Sequence, residues 1–515
     1  MSEKKLHSPE FERIRKRLDS DSKKMMNALW ELLTSNKPEW VEQYQIAESI
    51  YQSNFLDIVK NEEMVSINTS DYSPNRELNL LINELVEYKD PVLNEKINTL
   101  WNELHFEISS YKTKIEGNNL SDIEFQKKYD LIKDSNDRKN AWIKYMKLGG
   151  DIASRLIELV KLRNKVAKHN GYNNYYEMKL NTQEIELSLV KTVIKEIRSQ
   201  LDPIYKKMKA EIDLDIGNKF RIDKRDIRSW HYEDPFFQSY STHKVDNNID
   251  PQIIISFLER WMSERGIELT KIISQSDLVA RSNKSPANFC LNIDRRDDIR
   301  ISCNYQPNNK GVGVLLHELG HAVYEKEINN ELPFLMRQPA HIFLSEGIAI
   351  LFESLTDYII QNLQNKCMNE DPNANSDEYK KALITKLYWI ITLVEFEQEL
   401  YKNPEQNLNE LWWNIVEDVQ GIQRPAEWDF PYWARKAHIT TLPVYYQNYL
   451  LGEVIASQLE YILNKKFNRW YTQESIQYLS QNLFRLGLSQ NWESILRNYF
   501  QCKLETKFLI GKLIY

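Results

Sequence analysis

The segment of this chain whose residue types and spacing most directly permit chemistry is His317-Glu318-Leu319-Gly320-His321. On a helix, side chains four residues apart project from one face, one above the other, so the two imidazoles can share a single metal ion. Glu318 lies about 100° round the helix from His317. That offset keeps its carboxylate out of the ligand set yet lets it reach a metal-bound water, which it can deprotonate before returning the proton to a leaving amine. Gly320 leaves room for a neighbour or a substrate. HExxH arises by chance roughly once per hundred chains of this composition, so the motif gains its weight from its surroundings.

A hydrolytic zinc takes three protein ligands and keeps one position open. Downstream, Glu346 and Glu353 interrupt the otherwise apolar run from His341 to Glu353. The run predicts a helix buried against the motif helix, where an unpaired carboxylate is costly. Glu346 is the expected third ligand, and Glu353, two turns on, is expected to accept a hydrogen bond from a ligand histidine. The competing assignment pairs either carboxylate with an arginine. His341, at the helix start, could ligate, cap the helix or touch substrate. The expected cofactor is one Zn²⁺, although ligand type alone also admits Mn²⁺ or Co²⁺.

Elements must hold these residues. Scarce Gly (14) and Pro (16) among 515 residues favour long helices over disorder. Helical periodicity runs from about Phe11 to Leu214, as in Ile152, Leu156, Leu159 and Val160. Breaks are expected at 68–71, 118–122 and 170–174, where Asn, Gly and Ser cluster. Alternating residues at 287–293 and 299–305 predict two strands just upstream of the motif helix. Helices are then expected over 313–326, 341–361, 379–400, 408–419 and 442–464. The predicted fold is mainly α: a large helical body of two subdomains, 1–235 and 236–515, with a deep central cleft and a short hairpin beside the metal helix.

A net charge of -7 gives no basic footprint, which argues against nucleic acid as a partner. No apolar run approaches a membrane span, and the charged N-terminus lacks a signal-like apolar stretch, so a cytoplasmic location is expected. Four cysteines, Cys290, Cys303, Cys367 and Cys502, are too few for a disulfide framework. Reduced thiols are expected, with Cys290 and Cys303 the one pair that a hairpin could bring together.

The motif and its surroundings resemble the angiotensin-converting-enzyme-like zinc peptidases and their wider kin, the thimet-oligopeptidase and oligoendopeptidase group. The family's HE(M/L)GHxxY stands here as His317 to Tyr324, and its Leu-Pro-x-x-x-Arg stretch as Leu332 to Arg337. Glu346, thirteen residues after Pro333, matches the position of the family's third ligand. A second block, Lys436 to Glu453, is similar to the family's Lys-x-His and Tyr-rich helix. The resemblance implies that Tyr449 donates its phenol proton to the oxyanion, that His438 assists or holds the substrate backbone, and that Lys436 with Tyr446 holds a peptide's terminal carboxylate. It also implies that Pro286-Ala287-Asn288-Phe289 is a substrate-pairing edge, so Ala287 and Asn288 count as substrate contacts. Arg163 to Ala167, with Tyr172, Tyr175 and Tyr176, extends the likeness into the helical half. The chain departs from the converting-enzyme branch at Ile350, where that branch has Asp, and from the oligopeptidase branch in lacking a strand-borne His near Ala287. The spacing from His438 to the tyrosines is also shifted by one residue.

The expectation is therefore a gluzincin that hydrolyses short unfolded peptides, as an oligopeptidase or a peptidyl-dipeptidase, by Glu-assisted attack of a zinc-bound water. The rival is a non-catalytic zinc-binding helical scaffold, which would have no use for Glu318 as a base.

Overall fold

The structure, a computed structural model, describes residues 9–35, 37–60, 76–240, 249–281, 284–285, 287–364 and 377–514. The fold is mainly α, with two antiparallel two-stranded sheets: β1 (Thr113–Ile115) with β2 (Asn118–Leu120), and β3 (Phe289–Asn292) with β4 (Ile299–Ser302). The helices begin on polar caps. Asp134 accepts from the N–H groups of Asn136 and Asp137 to start the Ser135–His169 helix, and Ser121 forms a reciprocal capping box with Glu124. The expected break at 170–174 is present. Asn170 caps the long helix, Gly171 turns at φ 83, and Asn174 starts the next helix.

At 118–122 the expected loop is a strand followed by that capping box. Glu116 and Gly117, at φ 49 and 84, form the tight turn that joins β1 to β2. Three-residue strands give no period to read. The break expected at 68–71, Pro286 and Cys367 lie outside the described residues.

The chain divides into two compact units. The first is Met1–Lys89, Val245–Pro372 and Leu451–Leu509; the second is Asp90–Lys244, Asn373–Leu450 and Ile510–Tyr515. Both are discontinuous in sequence. In the first unit Phe334 and Leu335 of the Leu-Pro-x-x-x-Arg stretch join Leu18, Tyr51 and Leu81 in one apolar cluster. Arg337 Nη2 donates to Asp19 Oδ2 at 2.8 Å. That stretch therefore anchors the approach to the Glu346 helix on the N-terminal helices. The second unit has an aromatic core that includes Trp142, Trp389, Trp412, Trp413 and Trp433. Within it, buried Arg138 donates to the carbonyls of Tyr129, Trp230 and Tyr232.

Two predicted helices are divided. The 341–361 run is two helices, Ile342–Glu353 and Thr356–Leu363. The 442–464 run starts only at Tyr446 and continues to Phe467, preceded by a short helix Ala437–Thr441. Pro443 accounts for the gap, because the residue before a proline avoids the helical region. Val444 then takes φ 55 and donates its N–H to buried Glu397 at 2.8 Å.

Candidate metal centre

The motif helix, Asn309–Glu327, starts where Asn308 Oδ1 accepts the N–H of Gly311 at 2.9 Å. It lies directly against the Ile342–Glu353 helix, and Gly320 permits the closeness. A Cβ on Gly320 would stand 2.7 Å from Ala349 Cα and 3.0 Å from the Ile348 carbonyl oxygen. The room left by Gly320 is thus taken by a neighbouring helix. Tyr324, the last residue of the family motif, is fully buried, and its hydroxyl accepts the N–H of Ala340 at 3.1 Å. That bond fixes the segment just before His341. His341 is itself the cap of the Ile342–Glu353 helix: its Nδ1 accepts the N–H of Phe343 at 3.0 Å.

One turn into that helix, Glu346 is 3 % exposed and turned toward the histidines. His317 Nε2 lies 3.5 Å from Glu346 Oε2, and His321 Nε2 lies 3.9 Å from Glu346 Oε1. One donor atom from each of the three lies within 4.8 Å of the others. Ligands about 2.0 to 2.1 Å from a tetrahedral zinc stand roughly 3.3 Å from one another, so two imidazoles and a carboxylate at these separations fit one Zn²⁺.

The outer ring nitrogens are engaged by the protein. His317 Nδ1 is 3.1 Å from Glu353 Oε2, and His321 Nδ1 is 2.8 Å from Ser345 Oγ. With the proton on Nδ1 in both rings, each Nε2 lone pair faces the shared point. Glu353 stands where the sequence predicts a partner for a ligand histidine, whereas Ser345 is not among the residues that the sequence singles out. The available signal was a lone hydroxyl inside an apolar helix.

Burial and the neighbouring charges shift the ionisable groups of the site in different directions. Burial opposes charge on His317, but the carboxylates of Glu346 and Glu353 overcome it and push the pKa up to about 10. Burial holds His321 down at about 4, against the pull of Glu346. Burial also raises Glu318 to about 7, with the His317 charge opposing and Glu346 and Glu353 adding. A divalent cation inverts this pattern, favouring neutral imidazoles and ionised carboxylates.

The strand pair lies over the motif helix. In the β3–β4 register Cys290 stands opposite Ile301 and Asn292 opposite Ile299. The bond from Ile293 N–H to the Asp298 carbonyl fixes the alternation, so the main-chain groups of Cys290 and Asn292 point away from β4. The far edge of β4 is occupied by the segment around Asp277, which exchanges bonds with Ile301 and Cys303. Among the described residues no strand pairs with the other edge of β3, which is open there. Ala287 and Asn288 precede the strand; Asn288 Oδ1 accepts the N–H of Asn304 at 2.8 Å. Cys290, Cys303 and Cys502 are free thiols. Cys303 is offset by two residues from the partner of Cys290, which is too far for a bridge without backbone movement.

Lys436, His438, Tyr446 and Tyr449 lie in the second unit, with Tyr446 next to each of the other three. Lys436 Nζ donates to Gln238 Oε1 at 2.7 Å and stands 5.9 Å from the Tyr446 ring centre. The Tyr446 ring lies 5.2 Å from that of His438 and 5.4 Å from that of Tyr449.

A helix-borne His-Glu-x-x-His pair, completed by a glutamate from the adjacent helix, is the donor set of a zinc metallopeptidase of the gluzincin class. The chain belongs to the angiotensin-converting enzyme family, which it matches over residues 4–227 and 283–509. It is accordingly a peptidase, a hydrolase of peptide bonds. A comparison with individually curated proteins returned no match.

Proposed function

We propose that this chain is a zinc-dependent oligopeptidase or peptidyl-dipeptidase acting on short unfolded peptides. One observation carries the reading: His317, His321 and Glu346 converge while Glu318 stands beside them and takes no part in the converging set. Bound Zn²⁺ would supply a Lewis acid for the scissile carbonyl and for water. His317, His321 and Glu346 would hold it, with Glu353 and Ser345 orienting the two rings. Glu318 takes the proton of the attacking water and delivers it to the leaving amine nitrogen.

The open edge of β3 suits an extended peptide, with the N–H and C=O groups of Cys290 and Asn292 as the main-chain partners and Ala287 and Asn288 at its start. Tyr449 and His438 are neutral donors of the kind an oxyanion needs, and Lys436 with Tyr446 suits a terminal carboxylate. Neither nucleic acid nor a membrane is proposed as a partner. Among the described residues no helix is long and apolar enough to cross a membrane. The free thiols of Cys290, Cys303 and Cys502 support a cytoplasmic placement within the same proposal.

The test is product mapping by mass spectrometry on peptides with free and amidated C-termini. Release of C-terminal dipeptides that amidation slows sharply supports Lys436 as an anchor and the peptidyl-dipeptidase mode. Equal rates on both forms support the endo-acting mode. No cleavage of any peptide overturns the proposal.

A further inference from the structure

One ionisable group near the metal helix has no part in this scheme. Glu325 lies seven residues beyond Glu318 on the motif helix, so it stands on nearly the same face, about 10 Å further along the axis. Its Oε2 accepts a hydrogen bond from Asn292 Nδ2 at 3.0 Å. Asn292 is one of the two β3 residues whose main-chain groups face away from β4. Its side chain, like those of Ile299 and Ile301 across the ladder, is on the face of the sheet that covers the motif helix. A peptide residue paired with Asn292 on the open edge turns its own side chain to that same face. That is where Glu325 stands.

The carboxylate is half-buried and poorly compensated. Burial pushes its pKa up to about 7, with the Asn292 amide and the more distant Arg295 charge opposing. Arg295 is committed elsewhere: its Nη1 donates to the Phe334 carbonyl at 3.3 Å, and its guanidinium lies 4.1 Å above the Phe334 ring centre. Among the described residues no lysine or arginine forms an ion pair with Glu325. A partly desolvated carboxylate beside a substrate track is stabilised by a cation that arrives with the substrate.

We propose that Glu325 selects peptides carrying lysine or arginine at the residue that pairs with Asn292. The inference rests on the reading of β3 as the substrate edge of a peptidase. Its test is hydrolysis by the zinc-loaded full chain of matched peptides with Lys, Arg, Ala or Glu placed in turn at each position around a mapped cut. The enzymes compared are the wild type, Glu325→Gln and Glu325→Asp.

The expected result is a preference of about tenfold in kcat/KM for Lys and Arg over Ala at one position, with Glu least favoured there. Glu325→Gln should bring the Lys-to-Ala ratio close to one, and Glu325→Asp should keep part of the preference. Equal wild-type rates for Lys and Ala at every position, or a preference that survives Glu325→Gln, overturns the inference and leaves peptide hydrolysis standing. Absence of cleavage with every peptide removes the underlying reading and the inference together.

Discussion

Each imidazole of the histidine pair is oriented by a side chain outside the converging set: Glu353 behind His317 and Ser345 behind His321. Such partners fix the ring and its tautomer, and losing one commonly costs about 10- to 100-fold in metal affinity. Glu353→Gln is expected to weaken zinc binding by about tenfold, near the lower limit because the Glu353 side chain is 42 % exposed. Chelator competition measures this, and an unchanged affinity would contradict the assigned role. The histidine pair and both glutamates were legible in the sequence because a carboxylate inside an apolar helix needs a reason to be there. Ser345 was not, since a serine is tolerated in a buried helix at little cost. Glu325 and Asn292 were missed for a different reason: their pairing depends on how β3 lies across the motif helix.

At the scale of elements, the site depends on how closely two helices pack. A Cβ on Gly320 would meet the backbone of the Ile342–Glu353 helix, which cannot yield as a flexible side chain can. Gly320→Ala should therefore push the helix bearing Glu346 away from the histidines, destabilising the protein by about 1 to 3 kcal/mol and weakening zinc binding with it. Gly511→Ala is the control, because nothing lies within 4 Å of a Cβ added there. Denaturant unfolding followed with zinc titration tests the pair, and equal behaviour of the two variants would refute the packing argument. Helix existence was readable from periodicity and caps, and β3 and β4 from alternation. The break before Tyr446 was less accessible. Pro443 signalled it, but the strained Val444 turn depends on Glu397, which is distant in sequence.

At the scale of the molecule, acid stability should depend on His231 in the second unit. Its Nδ1 accepts the N–H of Arg228 at 2.9 Å, and its Nε2 lies 2.8 Å from Ser135 Oγ. The ring is therefore the neutral Nε2–H form, and a second proton would have to displace the Arg228 N–H. Burial lowers its pKa from 6.5 to about 4, with the charges of Arg138 and Arg228 acting in the same direction. The unfolded chain takes up this proton near pH 6.5 and the folded chain only near 4. The contribution is thus complete above pH 6.5 and is lost as pH falls toward 4. Between pH 7 and 4.5, wild type should lose on the order of 2 kcal/mol more stability than His231→Gln, as read from denaturant unfolding. Parallel losses would rule the mechanism out.

The overall class was legible because one short motif, one distant glutamate and long helical periodicity all agree. The assembly of each unit from separated stretches of chain was not, because periodicity reports which face of a helix is buried and not what buries it.

In the proposed mechanism His317, His321 and Glu346 hold a zinc ion that Glu318 serves as base. Hydrolysis of a mixed peptide pool by zinc-loaded wild type and Glu318→Gln, with metal content determined on the same samples, tests it most directly. The expected result is one zinc per chain in both proteins and hydrolysis reduced by at least about 100-fold in Glu318→Gln. Undiminished hydrolysis by that variant, or wild type without stoichiometric zinc, would contradict it.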